Sequence, residues 1–394
     1  MLQSVTTPDR LRARERVGWD RITMRHGTIC FIVPRINRTG GYERQAITLA
    51  HALRAHGARL RVLTDSEPLA SLEDCRVLPH RTMLGTYLAF RREFADARDK
   101  GPVVVHLHAL YRFSAVGLRA AMRQQLPTLL KLPSSTDVRL LFRSPRLALR
   151  LFQPTLQRVD RFLCPSHFVA EELRPFLRRP EASVYLPNGV DTRRFCPSTA
   201  EEQRRQRDQL GIRFQHVMLH VGRHVPLKGG DVLIRAFAQT RGSLPADTGL
   251  VFLGDGEQAE AWKHLVDELG IGRAVLFAPT HAEPERYFQA ADAFVLPSLQ
   301  EGMPNALLEA MACGLPCVAS DTGGIRDVLA DSFPGQLVAP GDVDALAAAL
   351  TKLFQPAMLV LGTQMREHVA AHFSIDIVSQ RLTALYDELI RSNG

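Results

Sequence analysis

The chain has 394 residues, 45% of them hydrophobic and 23% charged, with a formal net charge of +8. That length exceeds one ordinary core and fits two domains of usual size, and the composition is that of a globular protein rather than a disordered or fibrous one. No run of about 18 apolar residues is free of charge, so no transmembrane helix is expected.

Residues 1–25 are rich in arginine and lack a long apolar core, so they read as a disordered leader and not as a secretory signal. An apolar strand follows at 28–34, then a glycine turn at Thr39-Gly40-Gly41, then helical spacing over 43–56 with Ala46, Leu49, Ala50 and Leu53 on one face. Further strands are predicted at 60–64, 103–107, 128–132, 162–165 and 184–187. Alternation of strand and helix implies a parallel sheet. The turn Asn188-Gly-Val-Asp191 reads as a hinge, and the polar stretch 189–205 as the linker. A second alternating series has strands at 217–221, 250–253, 275–277, 293–296, 317–319 and 336–338, with helices at 231–239 and 343–353. Ser374 reads as the N-cap of a last helix, 375–390. The domains are therefore 26–200 and 201–373, with a terminal helix at 374–394.

The segment from Glu301 to Glu309 holds two carboxylates with seven residues between them, including Gly302, Met303, Pro304 and Asn305. Glu301 lies on a loop after a predicted strand, at the sheet edge where open α/β folds bind ligands. Glu309 lies inside the helix that follows. The start of that helix suits a phosphate, and an ionised carboxylate accepts hydrogen bonds from sugar or ribose hydroxyls. Upstream stand Gly222-Arg223 and Lys228-Gly229-Gly230, then Gly254-Asp255-Gly256, then Ala290-Ala-Asp292 leading into Ser298.

This ordered set resembles the retaining glycosyltransferases of family 4, whose E-x7-E motif matches Glu301 and Glu309. The resemblance implies the GT-B fold: α/β, two Rossmann-like domains facing a cleft, with a C-terminal helix crossing back to the first. It implies transfer of a sugar from a UDP- or GDP-linked donor to a glycan, lipid-linked or small-molecule acceptor, with no cofactor and no metal. Arg223 and Lys228 would stabilise charge on the leaving diphosphate. Glu301 would meet the donor sugar and Glu309 the ribose, with the backbone of residues 302–305 near sugar and phosphates. Gly40, Gly41, Gly222 and Gly254 would let backbone approach the donor. His108, at the end of the 103–107 strand, matches the position facing the donor sugar. His106 is expected to point the opposite way and pack in the sheet. Many relatives carry T-x-H after the next strand. This chain reads Lys131-Leu-Pro133 there, which offers Lys131 to an acidic acceptor.

Two other classes compete. An NAD-dependent oxidoreductase would need G-x-G-x-x-G, but Gly254-Asp255-Gly256 continues into Glu257, Gln258 and Ala259. A silent binding protein of the same fold would not need Arg223, Lys228, Glu301 and Glu309 together. The basic balance admits an anionic partner. No nucleic-acid module is recognised by motif, whereas arginines alternate with large apolar residues over 139–152, a pattern that suits an anionic membrane surface or an inward-packed face. The six cysteines, none in C-x-x-C spacing, read as reduced thiols of a cytoplasmic protein.

Overall fold

The computed structural model describes residues 27–36, 40–68, 72–79, 82–144 and 146–393. The leader read at 1–25 and Thr39 of the glycine turn lie outside these residues. The first half runs β1 (Thr28–Ile32), α1 (Gly41–Ala55), β2 (Arg59–Thr64), β3 (Cys75–Val77), α2 (Met83–Arg98), β4 (Val103–Leu107), α3 (Arg112–Arg123), β5 (Thr128–Lys131), α4 (Ser135–Phe142), α5 (Leu147–Leu156), β6 (Arg161–Cys164), α6 (His167–Leu173) and β7 (Ser183–Tyr185). The second half runs α7 (Ala200–Leu210), β8 (His216–Val221), α8 (Gly230–Thr240), β9 (Thr248–Leu253), α9 (Ala259–Glu268), β10 (Val275–Ala278), α10 (Glu285–Ala290), β11 (Ala293–Leu296), α11 (Asn305–Ala312), β12 (Cys317–Ser320), α12 (Ile325–Leu329), β13 (Leu337–Val338), α13 (Val343–Leu350), α14 (Pro356–His372) and α15 (Ile375–Asn393).

Each half forms one parallel sheet. The orders are β3-β2-β1-β4-β5-β6-β7 and β10-β9-β8-β11-β12-β13. Central strands such as β1 and β9 are buried at every position, because helices cover both faces. In the first sheet one face packs on α2 and α3 through Phe90, Phe94 and Phe113, and the other on α1 and α15 through Leu49, Leu53 and Leu382. In the second, α8 and α9 cover one face, with Phe237 and Trp262, and α10, α11 and α14 cover the other, with Phe288, Leu308 and Met365.

The order reverses once in each sheet, between β1 and β4 and between β8 and β11. Crossover helices leave these adjacent strands in opposite directions, which opens a crevice at their carboxyl ends. The loops at the two crevices are those that carry the predicted site residues.

The chain returns to the first domain at its end. Val190 and Ser374 form an isolated parallel bridge, with Val190 N donating to Phe373 O at 2.9 Å and Ile375 N to Val190 O at 2.8 Å. Then α15 lays Ile375, Val378, Leu382, Tyr386 and Leu389 into the first core. This is the crossing helix the resemblance implies.

One local reading needs correction, and one strand went unread. Part of the stretch read as linker is the ordered helix α7, opened by a reciprocal Thr199–Glu202 cap. It buries no residue of its own and docks by polar bonds, Arg207 to Asp292 at 2.7 Å and to Ala290 O at 2.7 Å. A helix held this way has no apolar stripe to reveal it. The short edge strand β3 is likewise too brief and polar to announce itself.

The two halves also touch between α6 and α12. His167, opening α6, donates its backbone N–H to Asp327 Oδ2 of α12 at 2.7 Å, and its ring Nδ1 lies 3.2 Å from the same oxygen. That hydrogen bond raises the imidazole pKa, with burial opposing, Asp327 and Glu171 charge adding and Arg174 opposing; the ring stacks on Tyr185 at 4.0 Å. A raised folded pKa means the charged pair contributes fully below the unfolded value, about 6.5, and is lost as pH rises through the higher folded value. The melting temperature of Asp327→Asn should fall furthest below wild type under about pH 6.5 and approach it at higher pH. A gap that does not change across that range would show that only the pH-independent backbone bond matters.

Candidate active site

The second-domain half of the site is built on the β8–β11 crevice. The loop after β8 carries Gly222, exposed Arg223 and a single turn ending at Lys228. Gly229 then takes φ 64°, and a Cβ there would lie 2.1 Å from Pro297 O. Only glycine lets this loop press against the end of β11. That contact brings the Lys228 ammonium to Glu301 Oε1 in a direct ion pair. Ser298, fully buried, donates to the same oxygen at 2.9 Å. Gly254, at the end of β9, abuts the Gly222 carbonyl so closely that a Cβ would lie 2.0 Å from it.

After Glu301, Gly302 crosses to the first domain. A Cβ at Gly302 would lie 2.3 Å from Pro133 O, and Gln300 donates to Ser135 Oγ at 2.8 Å. Buried Met303 and Pro304 lead into α11, whose N-cap Pro304 gives no side-chain cap. The helix start is thus left for another acceptor of its N–H groups. Glu309 sits in the second turn, buried, with Oε2 unpaired among the described residues. Burial raises its carboxyl pKa, while the charges of Arg44 and Arg194 oppose the rise and Glu285 adds to it. A buried carboxylate oxygen without a partner is costly, and hydroxyl donors from a ligand would remove that cost.

The first-domain half is built on the β1–β4 crevice. Gly40 and Gly41 begin α1, and the Gly41 carbonyl accepts from Asn305 Nδ2 at 3.1 Å across the cleft. His108 follows β4, its backbone N–H donating to Ile32 O at 3.1 Å. Its ring is buried, and Nε2 has no partner among the described residues. Burial holds its pKa well below the usual value, with the charges of His106 and Lys131 adding. The imidazole is therefore neutral and a weak base.

His106 corrects the sequence reading. Positions two apart on a strand share a face, and the rings of His106 and His108 stack at 4.3 Å and 17°. His106 is nevertheless committed to the core, with Nδ1 2.6 Å from Tyr386 Oη on α15. Lys131 also differs from expectation. Its ammonium is buried and donates to Asn188 Oδ1 at 2.7 Å. Asn188 in turn donates to Asn305 Oδ1 at 2.7 Å, so the turn read as a hinge ties the two domains together.

The structure thus brings Lys228 to Glu301 and Asn305 to Gly41, and sets His108 and Glu309 in the walls. Sequence reasoning named Ser298 without a role, read Asn188 as a hinge, and missed Arg44, whose charge acts on Glu309 and which carries no local signal. Among the described residues no group of three or more His, Cys, Asp or Glu is arranged to hold a metal ion.

The cysteines are free, and four of the six are buried. The segment 139–152 divides between α4 and α5. Val138, Leu141, Phe142, Phe152 and Leu156 face the core, whereas Leu140, Leu147 and Leu151 are exposed beside exposed Arg139, Arg143, Arg146 and Arg150. No described helix is long and apolar enough to cross a membrane.

Comparison with known proteins agrees with this architecture. Residues 39–194 match the family model described as Glycosyltransferase Family 4, and residues 202–367 match Glycosyl transferases group 1. The GDP-mannose-dependent alpha-(1-6)-phosphatidylinositol monomannoside mannosyltransferase of Mycolicibacterium smegmatis is 35% identical over 185 residues, 44% of this chain and 48% of that protein. The D-inositol 3-phosphate glycosyltransferase of Mycolicibacterium paratuberculosis is 33% identical over 252 residues, 61% of this chain and 55% of that protein. The matches thus span about half the length of these relatives. Among solved structures, HepE of Anabaena in complex with UDP superposes with a TM-score of 0.75 at 20% identity, covering 92% of this chain and all of that one. Sucrose-phosphate synthase of Thermosynechococcus elongatus gives 0.74 at 26% identity, covering 93% of this chain and all of that one. The two family models match in order and together span most of the chain, and each half carries the parallel, helix-covered sheet of the GT-B fold.

Proposed function

We propose that the protein is a retaining, metal-independent glycosyltransferase. It moves a sugar from a UDP- or GDP-linked donor to a glycan or lipid-linked acceptor. The observation that carries this reading is the unpaired buried carboxylate of Glu309 inside α11, with the Lys228–Glu301 pair at the foot of the same helix. One relative is named as GDP-mannose-dependent and one structural neighbour holds UDP, which supports a nucleotide donor without choosing its base.

In this reading the ribose hydroxyls donate to Glu309, and the diphosphate lies between the start of α11 and the loop holding Arg223 and Lys228. The bond from the anomeric carbon to the phosphate oxygen breaks, and negative charge grows on that oxygen. Arg223 and Lys228 stabilise it. The acceptor hydroxyl arrives on the same face and forms the new bond, and its proton passes to the departing phosphate. Glu301 holds the sugar. His108, neutral and weakly basic, accepts a hydrogen bond or makes packing contact, and it is a poor general base.

Replacing Arg223 by Ala should lower kcat about a hundredfold, near 3 kcal/mol, with a smaller change in KM, because the cation acts mainly as charge develops. Wild-type turnover should persist in excess chelator. A near-normal kcat for the variant, or activity abolished by chelator and restored by Mg²⁺, would contradict the proposed charge stabilisation.

An α-linked donor should give an α-linked product, read by proton NMR of the new linkage. A β-linked product together with an inactive His108→Ala variant would assign His108 as an inverting base and overturn the mechanism.

We also propose that α4 and α5 rest on an anionic membrane surface, in a protein acting at the cytoplasmic face. Leu147 and Leu151 are 70% and 67% exposed on a helix flanked by arginines, a pairing of apolar and cationic groups that suits acyl chains beneath anionic headgroups. Vesicles containing anionic lipid should bind the protein and release it at high salt, and Leu147→Ser with Leu151→Ser should weaken binding. Equal partition to neutral vesicles would contradict the proposal.

A further inference from the structure

The polar chain through the cleft has a fixed direction. Lys131 Nζ donates to Asn188 Oδ1 at 2.7 Å, Asn188 Nδ2 donates to Asn305 Oδ1 at 2.7 Å, and Asn305 Nδ2 donates to Gly41 O at 3.1 Å. An ammonium can only donate and a carbonyl oxygen can only accept. The two ends therefore dictate the orientation of both amides between them, which are otherwise ambiguous. Flipping either amide would set like against like at two places.

The chain also has a fixed route. It starts at the end of β5 in the first domain, passes through Asn188 in the segment joining the domains, reaches the first residue of α11 in the second domain, and returns to the first domain at the start of α1. Lys131 and Asn188 are 7% and 8% exposed. Among the described residues the Lys131 side chain has its hydrogen bond with Asn188 alone. Moving the domains apart breaks both bonds of Asn305 and leaves Asn188 Nδ2 without its acceptor.

We propose that Lys131 is a positioning residue. Through Asn188 it holds Asn305, and with it the first turn of α11, against the Gly41 carbonyl, so that the helix start is presented to a ligand only when the cleft is closed. Its consequence for substrate rests on the donor reading above, whereas its consequence for closure does not. It also gives a role to a buried lysine that has no carboxylate partner among the described residues.

The test combines small-angle X-ray scattering of the free protein with calorimetric titration of UDP and GDP, on Lys131→Met, Asn305→Asp and Asn188→Ala. Asn305→Asp keeps the helix, since a carboxylate in the first turn favours it, and loses the bond to Gly41, while Asn305→Ala, measured beside it, removes that bond without adding a negative charge at the helix start. Lys131→Met and Asn305→Asp should each enlarge the radius of gyration and weaken nucleotide binding about three- to tenfold, the range of one net hydrogen bond. The two residues do not touch, so independent roles would make their effects add. The relay requires that the double variant be no worse than the more severe single variant, and that Lys131→Met add nothing in the Asn188→Ala background. An unchanged radius in every variant, or additive losses, would overturn the proposal. Should neither nucleotide bind the wild type, the donor reading would fall while the scattering comparison would still decide the relay.

Discussion

Two order reversals, one in each parallel sheet, determine where everything else in this molecule can act. A crossover helix must leave each strand, and only between β1 and β4, and between β8 and β11, do neighbouring strands send their helices apart. Gly41 and His108 follow the first pair. Lys228 and Glu301 follow the second. The cleft is thus lined from four strand ends, each braced by strands buried on both faces.

Within that frame the electrostatics are those of a desolvated site. The Lys228–Glu301 pair stabilises the fold little, because removing two charges from water offsets much of their attraction. Its value lies in holding one cation and one anion ready in a fixed geometry. Burial keeps His106 near a pKa of about 3 and lowers Lys131 to about 8. It pushes the Glu309 carboxyl in the opposite direction, upward. Each shift has the sign expected when the charged form is penalised by burial.

Much of this was legible in the sequence because the central strands are continuous apolar runs bounded by polar turns. Helix α11, with Glu309 inside it and Glu301 on the loop before it, was legible because a strand, a loop and a helix follow one another without a gap. What the sequence hid is what depends on distance in space. Lys131, Asn188 and Asn305 are separated by 57 and 117 positions, and no local pattern joins them. Helix α7 was obscured because polar bonds to carbonyls, not an apolar stripe, hold it. His106 was misplaced by applying strand alternation to residues two apart, which share a face.

The proposed activity requires one arrangement: a nucleotide diphosphate at the start of α11, with its ribose on Glu309. A crystal structure of the protein grown with UDP or GDP examines it directly. Ribose hydroxyls are expected within hydrogen-bond distance of Glu309 Oε2, and phosphate oxygens beside Arg223, Lys228 and the first backbone N–H groups of α11. A nucleotide bound elsewhere, with Glu309 Oε2 still unpaired, would contradict it.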